Sequence, residues 1–152
     1  MKTFLGRVSI AACMAVALAG TAFAGDSTDE AGIERAVQNY VSALYDMKPE
    51  LLDESVSRQL KKVGYMPAGD GSGLAESWMT FDELRELAGH LNKDKMFDPA
   101  TSPREVTILG HSDLIASVKL DAAWGVDYIH LTKFGGEWMI MNVIWQMRHE
   151  SE

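Results

Sequence analysis

Three residues able to do acid–base chemistry fall within four positions: Asp127, Tyr128 and His130. A carboxylate in apolar surroundings makes a good general base, and a tyrosine hydroxyl can stabilise an enolate oxygen. The parity of an extended chain limits what they can do together. Side chains in a strand alternate between faces, so Asp127 and His130, three apart, point to opposite sides and form no dyad. Tyr128 and His130 do share a face. Their plainer role there is packing, with the hydroxyl satisfied and the imidazole at the sheet's interface. Asp127 lies diagonally across from Asn142, on a face otherwise made of Ile129, Leu131, Ile140 and Ile144. Polar groups on such a face either line a pocket or pair with backbone and helix-end groups. Tyr40 on the first helix, where it and Tyr45 are more often core than ligand contacts, and Trp78 beside a glycine-rich stretch, as a lid aromatic or a mere cover of the pocket mouth, complete the candidate ligand contacts.

Other chemistries find no footing. His90, His111, His130 and His149 are scattered without a His-Glu-x-x-His spacing, so no metal site is expected. There is no Gly-x-Ser-x-Gly elbow. The glycine-rich stretch 65–77 lacks Gly-Lys-Ser/Thr, and Asp70 with Ser72 is too few ligands for a calcium loop. No cofactor is expected.

The segment that must position Asp127 is WGVDYIHLTKFGGEWMIMNVIW, residues 124–145. Gly135-Gly136 accepts positive φ at both central turn positions, which predicts a two-residue hairpin. Counting outward pairs Phe134 with Glu137, Thr132 with Met139, His130 with Met141, Tyr128 with Val143 and Val126 with Trp145. On the other face, Lys133 meets Trp138, Leu131 meets Ile140, Ile129 meets Asn142 and Asp127 meets Ile144. Both faces are largely apolar, so both should be covered.

Upstream, Ser27 and Glu30 form a capping box before a helix to about Tyr45, with Ile33, Val37, Tyr40, Val41 and Leu44 as its stripe. Pro49 suits the start of a second helix. Leu52, Val56, Leu60 and Val63 are its expected stripe, and Lys61, Lys62 and Gly64 its end. Residues 65–77 read as a loop. Thr80 and Glu83 cap a third helix that buries Phe81, Leu84, Leu87, Ala88 and Leu91. From Val106 the period becomes extended, with strands at Val106–Leu109 and Leu114–Leu120. Three helices followed by about four antiparallel strands is an α+β layout. Such helices cover one face of a curved sheet. That leaves Tyr128, His130, Met139, Met141 and Trp145 for a homodimer interface on the other.

This order is similar to the nuclear transport factor 2-like superfamily, in which three helices pack on a strongly bent antiparallel sheet that wraps into a cone with a pocket. Within it, the chain resembles the branch called putative lumazine-binding proteins. The resemblance rests on Asp127-Tyr128-x-x-Leu131, on Gly136-Glu137-Trp138-x-Ile140-x-Asn142-Val143-x-Trp145, and on Tyr40 to Asp46. Where relatives carry a His-Pro pair in helix two, this chain has Ser57-Arg58. The resemblance implies a cystatin-like cone and a small-molecule ligand. Cone-fold enzymes such as ketosteroid isomerase and scytalone dehydratase also place carboxylate, tyrosine and histidine groups inside the pocket. The expected function is therefore binding of a small, largely apolar molecule. The rivals are an isomerase or dehydratase with Asp127 as base, and an interaction module using the outer sheet face.

The first 24 residues read as an address. Lys2 and Arg7 precede the apolar run Val8 to Ala19, and Ala22-Phe23-Ala24 is a small-x-small cleavage site. The run is too short for a membrane span. Ile10-Ala11-Ala12-Cys13 offers a lipobox, but a good cleavage site lies beyond it. Removing 24 residues, Lys2 and Arg7 among them, leaves 128 residues with 12 basic and 22 acidic side chains and a net charge of −10. The expectation is a single domain over residues 25–152, periplasmic or secreted. The mature chain holds no cysteine, hence no disulfide. Its acidity argues against nucleic acid and against anionic membranes as partners. N-terminal sequencing of the exported protein is expected to begin at Gly25; full-length or acylated protein held in the membrane would overturn this.

Overall fold

The computed structural model describes residues 26–148, with side chains from residue 28 onward. The cleavage segment 1–24 and the side chain of Ser27, half of the first expected capping box, lie outside the described residues.

Helix α1 (Asp26–Tyr45) buries Ile33, Val37, Tyr40, Val41 and Leu44, the stripe that its 3.6-residue period dictates. Helix α2 (Glu50–Ser55) starts behind Pro49, whose φ of −59° suits a first turn. It ends far sooner than expected. The Ser55 hydroxyl donates to the Leu51 carbonyl at 2.7 Å, and from Val56 the chain is extended. Strand β1 (Val56–Pro67) replaces the rest of the expected second helix. The spacing of Val56, Leu60 and Val63 imitates a helical stripe, but its cause is an irregularity. Between Val56 and Lys61, β1 advances five positions while its partner advances two, from Ile140 to Asn142. That slip breaks the period of two.

The expected glycine loop is also shorter. Residues 68–73 make the turn, with the Ala68 amide donating to the Gly73 carbonyl at 2.8 Å. Strand β2 (Leu74–Met79) then returns antiparallel to β1. Helix α3 (Phe81–Ala88) begins at the predicted capping box: the Thr80 amide donates to Glu83 Oε2 at 2.7 Å, and the Glu83 amide to Thr80 Oγ1 at 3.4 Å. Beyond α3, the buried Asn92 clamps the connection. Its amide donates to the carbonyls of Tyr45 and Phe97, and its carbonyl accepts from the Phe97 amide, each at 2.8 Å.

Strands β3 (Arg104–His111), β4 (Ile115–Ala122), β5 (Gly125–Phe134) and β6 (Glu137–Met147) complete a curved, unclosed sheet in the order β2-β1-β6-β5-β4-β3. It has six strands where about four were expected, because residues 56–79 supply two. Among the described residues, only β1 and β6 run parallel. The inner face, with Val118, Leu120, Ile129, Leu131, Ile140 and Val143, packs on the helices as one core. The outer face lies open: Ile115, Tyr128 and Ile144 are 64%, 52% and 45% exposed.

The closing hairpin turns at Gly135-Gly136, with φ of 61° and 93°, and the predicted register holds from Phe134↔Glu137 to Leu131↔Ile140. It then slips by one. His130 faces Asn142, Ile129 faces Val143, Tyr128 faces Ile144, Asp127 faces Trp145 and Val126 faces Gln146. Met141 is the extra residue of a β-bulge, and every later side chain of β6 changes face. Asn142 therefore leaves the Asp127 face, and Trp145 leaves the Tyr128 face to join Asp127.

Candidate functional site

Inside the cone, a helix and two strands bring together one carboxylate, one ammonium and one phenol. Tyr40 projects from the buried stripe of α1, Lys62 from the inner face of β1 and Asp127 from the inner face of β5. They are 0%, 4% and 0% exposed. The Tyr40 hydroxyl donates to Asp127 Oδ2 at 2.8 Å and accepts from Lys62 Nζ at 2.7 Å. Lys62 Nζ also stands 3.6 Å from Asp127 Oδ2. The second carboxylate oxygen, Oδ1, accepts from Trp124 Nε1 at 2.7 Å. Both oxygens of Asp127 thus have partners. Lys62 has Tyr40 and Asp127 as polar partners, and its Nζ also lies near the faces of Tyr40 and Trp145, whose ring centres are 5.4 and 5.1 Å away.

Burial of charge sets the electrostatics. Desolvation lowers the Lys62 ammonium below its usual value, and the charge of Asp127 and its hydrogen bond oppose that drop. Desolvation, followed by the adjacent carboxylate, pushes the Tyr40 phenol well above the usual range, so it stays protonated. The group is a neutral ion pair bridged by a hydroxyl that can pass a proton either way.

A small cavity of about 90 Å³ opens beside this group, lined by Tyr40, Leu44, Lys62, Met79, Leu84, Leu87, Leu91, Trp124 and Trp145. Its wall is apolar apart from Tyr40 and Lys62. The Trp145 ring closes one side by lying on Gly64, where an added Cβ would come within 2.2 Å of it. Tyr40 packs edge-on to Trp124 at 6.1 Å, which ties α1 to the start of β5.

Of the four candidate contacts, the structure brings Tyr40 and Asp127 together and places the other two elsewhere. Trp78 sits across from Val63 on the outer side of β2 and is 64% exposed, with its indole bonded to Glu76 at 3.0 Å. Its neighbour Met79 is the residue that faces the cavity. Asn142 lies on the outer face, 3.2 Å from His130 Nδ1, and donates to the Lys61 carbonyl at 2.9 Å. Lys62 and Trp124 were missed. Lys62 read as a helix end; had residues 56–67 been read as a strand, a lysine two places from Leu60 on an inner face would have been the signal. A wider groove of about 550 Å³ lies on the outer sheet face and includes His130, Thr132 and Met141 in its lining. Among the described residues, no three His, Cys, Asp or Glu side chains cluster to hold a metal ion.

The model of a family described as "Putative lumazine-binding" matches residues 28–146, which include Tyr40, Lys62, Trp124 and Asp127. This chain belongs to that family. The lumazine-binding family chain also shares its fold with solved nuclear transport factor 2-like proteins. A protein of unknown function from Silicibacter pomeroyi is 18% identical, with 81% of this chain and 98% of that one covered at a TM-score of 0.62. One from Shewanella baltica is 16% identical, covering 82% and 97%, also at 0.62. A putative scytalone dehydratase from Novosphingobium aromaticivorans is 15% identical, covering 82% and 87%, at 0.57. At these identities the likeness is one of fold. No curated protein matches the chain.

The buried pair sets a stability prediction. Lys62→Met strands the Asp127 charge and is expected to cost about 3–5 kcal/mol. Adding Asp127→Asn removes that charge, so the double variant should be more stable than the Lys62→Met protein. Denaturant unfolding of the four proteins measures this, and losses that simply add would refute the coupling. The pH dependence has a definite sign. Between the lowered Lys62 value and the unfolded value of 10.5, the unfolded chain binds more protons, so this contribution to stability rises with pH. Lys62→Met should flatten that rise.

Proposed function

We propose that this chain is an exported binding protein for a small, largely apolar molecule that carries one hydrogen-bond acceptor, held in the cone with the acceptor at Lys62. The observation that carries the reading is the unequal satisfaction of the two buried charges. Each oxygen of Asp127 accepts one donor, from Tyr40 and from Trp124, while Lys62, which donates to Tyr40 and stands 3.6 Å from Asp127, has a third N–H with only ring faces near it and lies in the lining of an apolar cavity. A buried donor gains most from an acceptor that no water can replace. The same fact disfavours Asp127 as an isomerase or dehydratase base, since a base already holding two donors abstracts a proton poorly.

Size narrows the ligand. A cavity of about 90 Å³ falls below the ~300 Å³ at which drug-sized pockets begin. A two-ring lumazine, the molecule of the family's description, enters only if the half-buried Met79, Leu87 and Leu91 swing aside. Lumazine is therefore a discriminating probe. Titrated into purified protein and followed by tryptophan fluorescence, lumazine is expected to leave the emission unchanged, whereas propionamide, a three-carbon carbonyl compound suited to the cavity, should change it, and Leu91→Trp should abolish that change by filling the cavity. Unchanged wild-type emission with propionamide, together with a bare protein mass in native mass spectrometry of periplasmic material, would overturn the cone as a binding site.

The homodimer through the outer sheet face belongs to the same reading. The helices cover the inner face, and the outer one shows Tyr128, His130, Met139 and Met141 beside Ile115 and Ile144. The bulge at Met141 turns Trp145 toward Asp127, and it only borders that surface, in a groove with Tyr128 and Ile144. A twofold pairing repeats the same patch on each partner. Met141→Glu would place unpaired charge at its centre, and sedimentation should show wild type as a dimer and the variant as a monomer. A wild-type monomer at micromolar concentration would refute it.

A further inference from the structure

The most unusual group among the described residues is a lysine 4% exposed that belongs to the lining of a cavity. Few lysines are fully buried, because an ammonium loses its hydration there. Lys62 is held by an α1 phenol at 2.7 Å and a β5 carboxylate at 3.6 Å, and its Nζ lies 5.1 Å from the Trp145 ring centre. Storing a charge would need only the carboxylate. The hydroxyl between them adds a path along which a proton can leave Nζ and return.

We propose that Lys62 forms a reversible imine with a short aliphatic aldehyde bound in the cone. This inference rests on the cone being a ligand pocket, and it names the ligand's acceptor as a carbonyl. The step balances without any oxidant or reductant. Lys62 first passes a proton toward the Tyr40–Asp127 pair, which frees its lone pair. The amine attacks the carbonyl carbon, the C–N bond forms, and the carbonyl π pair moves onto oxygen. That oxygen takes a proton back through the Tyr40 hydroxyl to give a carbinolamine. A second proton from nitrogen then accompanies the oxygen as it leaves as water, and the C=N bond forms. Ammonium and aldehyde become iminium and water, so the site begins and ends with one positive charge beside Asp127, and the ion pair is restored.

Three features of the site favour this course. Burial lowers the ammonium, so more Lys62 is neutral near pH 7 than any exposed lysine. The Tyr40 phenol, pushed up by burial and by Asp127, keeps its proton and works as a relay rather than as a competing anion. The cavity of about 90 Å³ suits a chain of a few carbons, and its Leu44, Leu84, Leu87 and Leu91 wall receives the alkyl end. Displacement of water by that chain also holds back hydrolysis of the imine.

The test uses the mature protein carrying Lys61→Arg, so that Lys62 is the sole lysine in its peptide. The protein is exposed to limiting propionaldehyde with sodium cyanoborohydride at pH 6.5, and each lysine's propylation is read by peptide mass spectrometry. Lys62 is expected to react at least ~10-fold faster than Lys48, Lys93 or Lys95, and to lose that advantage in urea. Propionamide, which offers the same carbonyl without electrophilic carbon, is added to a separate sample and followed by the indole NMR signals of Trp124 and Trp145. Preferential labelling of Lys62 supports the imine. Labelling no faster than at the exposed lysines, with indole signals that move, overturns the imine and leaves the pocket standing. Neither labelling nor movement overturns both.

Discussion

Burying the charge of Asp127 is the constraint to which the rest of this structure answers. An unpaired carboxylate in such a core would be too costly to keep. One oxygen takes its donor from far away in sequence, Tyr40 of α1 with Lys62 of β1 behind it, and the other from Trp124, three residues earlier in the β4–β5 turn. Each donor fixes a piece of architecture. Tyr40 sets how α1 lies across the sheet. Lys62 joins β1, which pairs with β6, to α1 and β5 through its side chain. Trp124 packs between Tyr40 and Tyr45, and Tyr45 in turn donates to the Pro103 carbonyl at 2.7 Å and accepts from the Ala123 amide at 2.8 Å. The polar group is thus the point where helix layer, central strands and the β4–β5 turn are aligned.

A single residue decides which side chains can join it. Without the bulge at Met141, parity would place Ile144 opposite Asp127 and turn Trp145 outward. With it, Trp145 covers Lys62 and lies on Gly64, while Asn142 moves to the outer face to bond His130 and the Lys61 carbonyl. The irregular stretch of β1 between Val56 and Lys61 runs beside this part of β6. Two slips in adjacent strands let the centre of the sheet curve, and curvature makes a cone of what would otherwise be a flat layer.

Much of this was legible. The stripes of α1 and α3, the Thr80–Glu83 box and the glycine hairpin follow from short-range rules, and so did the burial of Asp127 and Tyr40, because strand and helix periods alone place them. What escaped shares one physical cause. Register slips are set by how three strands fit together, and neither Met141 nor residues 57–60 carries a local mark such as glycine or proline. The slip in β1 imitated a helix, so Lys61-Lys62 read as cations at a helix end, and the one lysine that matters was assigned to solvent. The slip in β6 moved Asn142 and Trp145 across the sheet. Trp78 was misplaced by a different route: Gly69, Gly71 and Gly73 before it suggested a loop through residue 77, whereas six residues of edge strand fit between the turn and α3.

The two faces of the sheet follow from one shortage of material. Helices totalling 34 residues cover the inner face closely enough to leave a cavity of only about 90 Å³. Nothing remains in the described chain to cover the outer one, where the larger groove of about 550 Å³ lies among Ile115, His130 and Met141. A tight inner cavity suits a ligand chosen by chemistry at one buried amine. A broad outer groove suits a large surface chosen by shape. Loosening the helices to admit a larger ligand would also slacken Tyr40, the group that keeps Lys62 and Asp127 neutralised. Ligand size and core stability are therefore coupled through one hydroxyl, which is a physical reason for the cone to stay small.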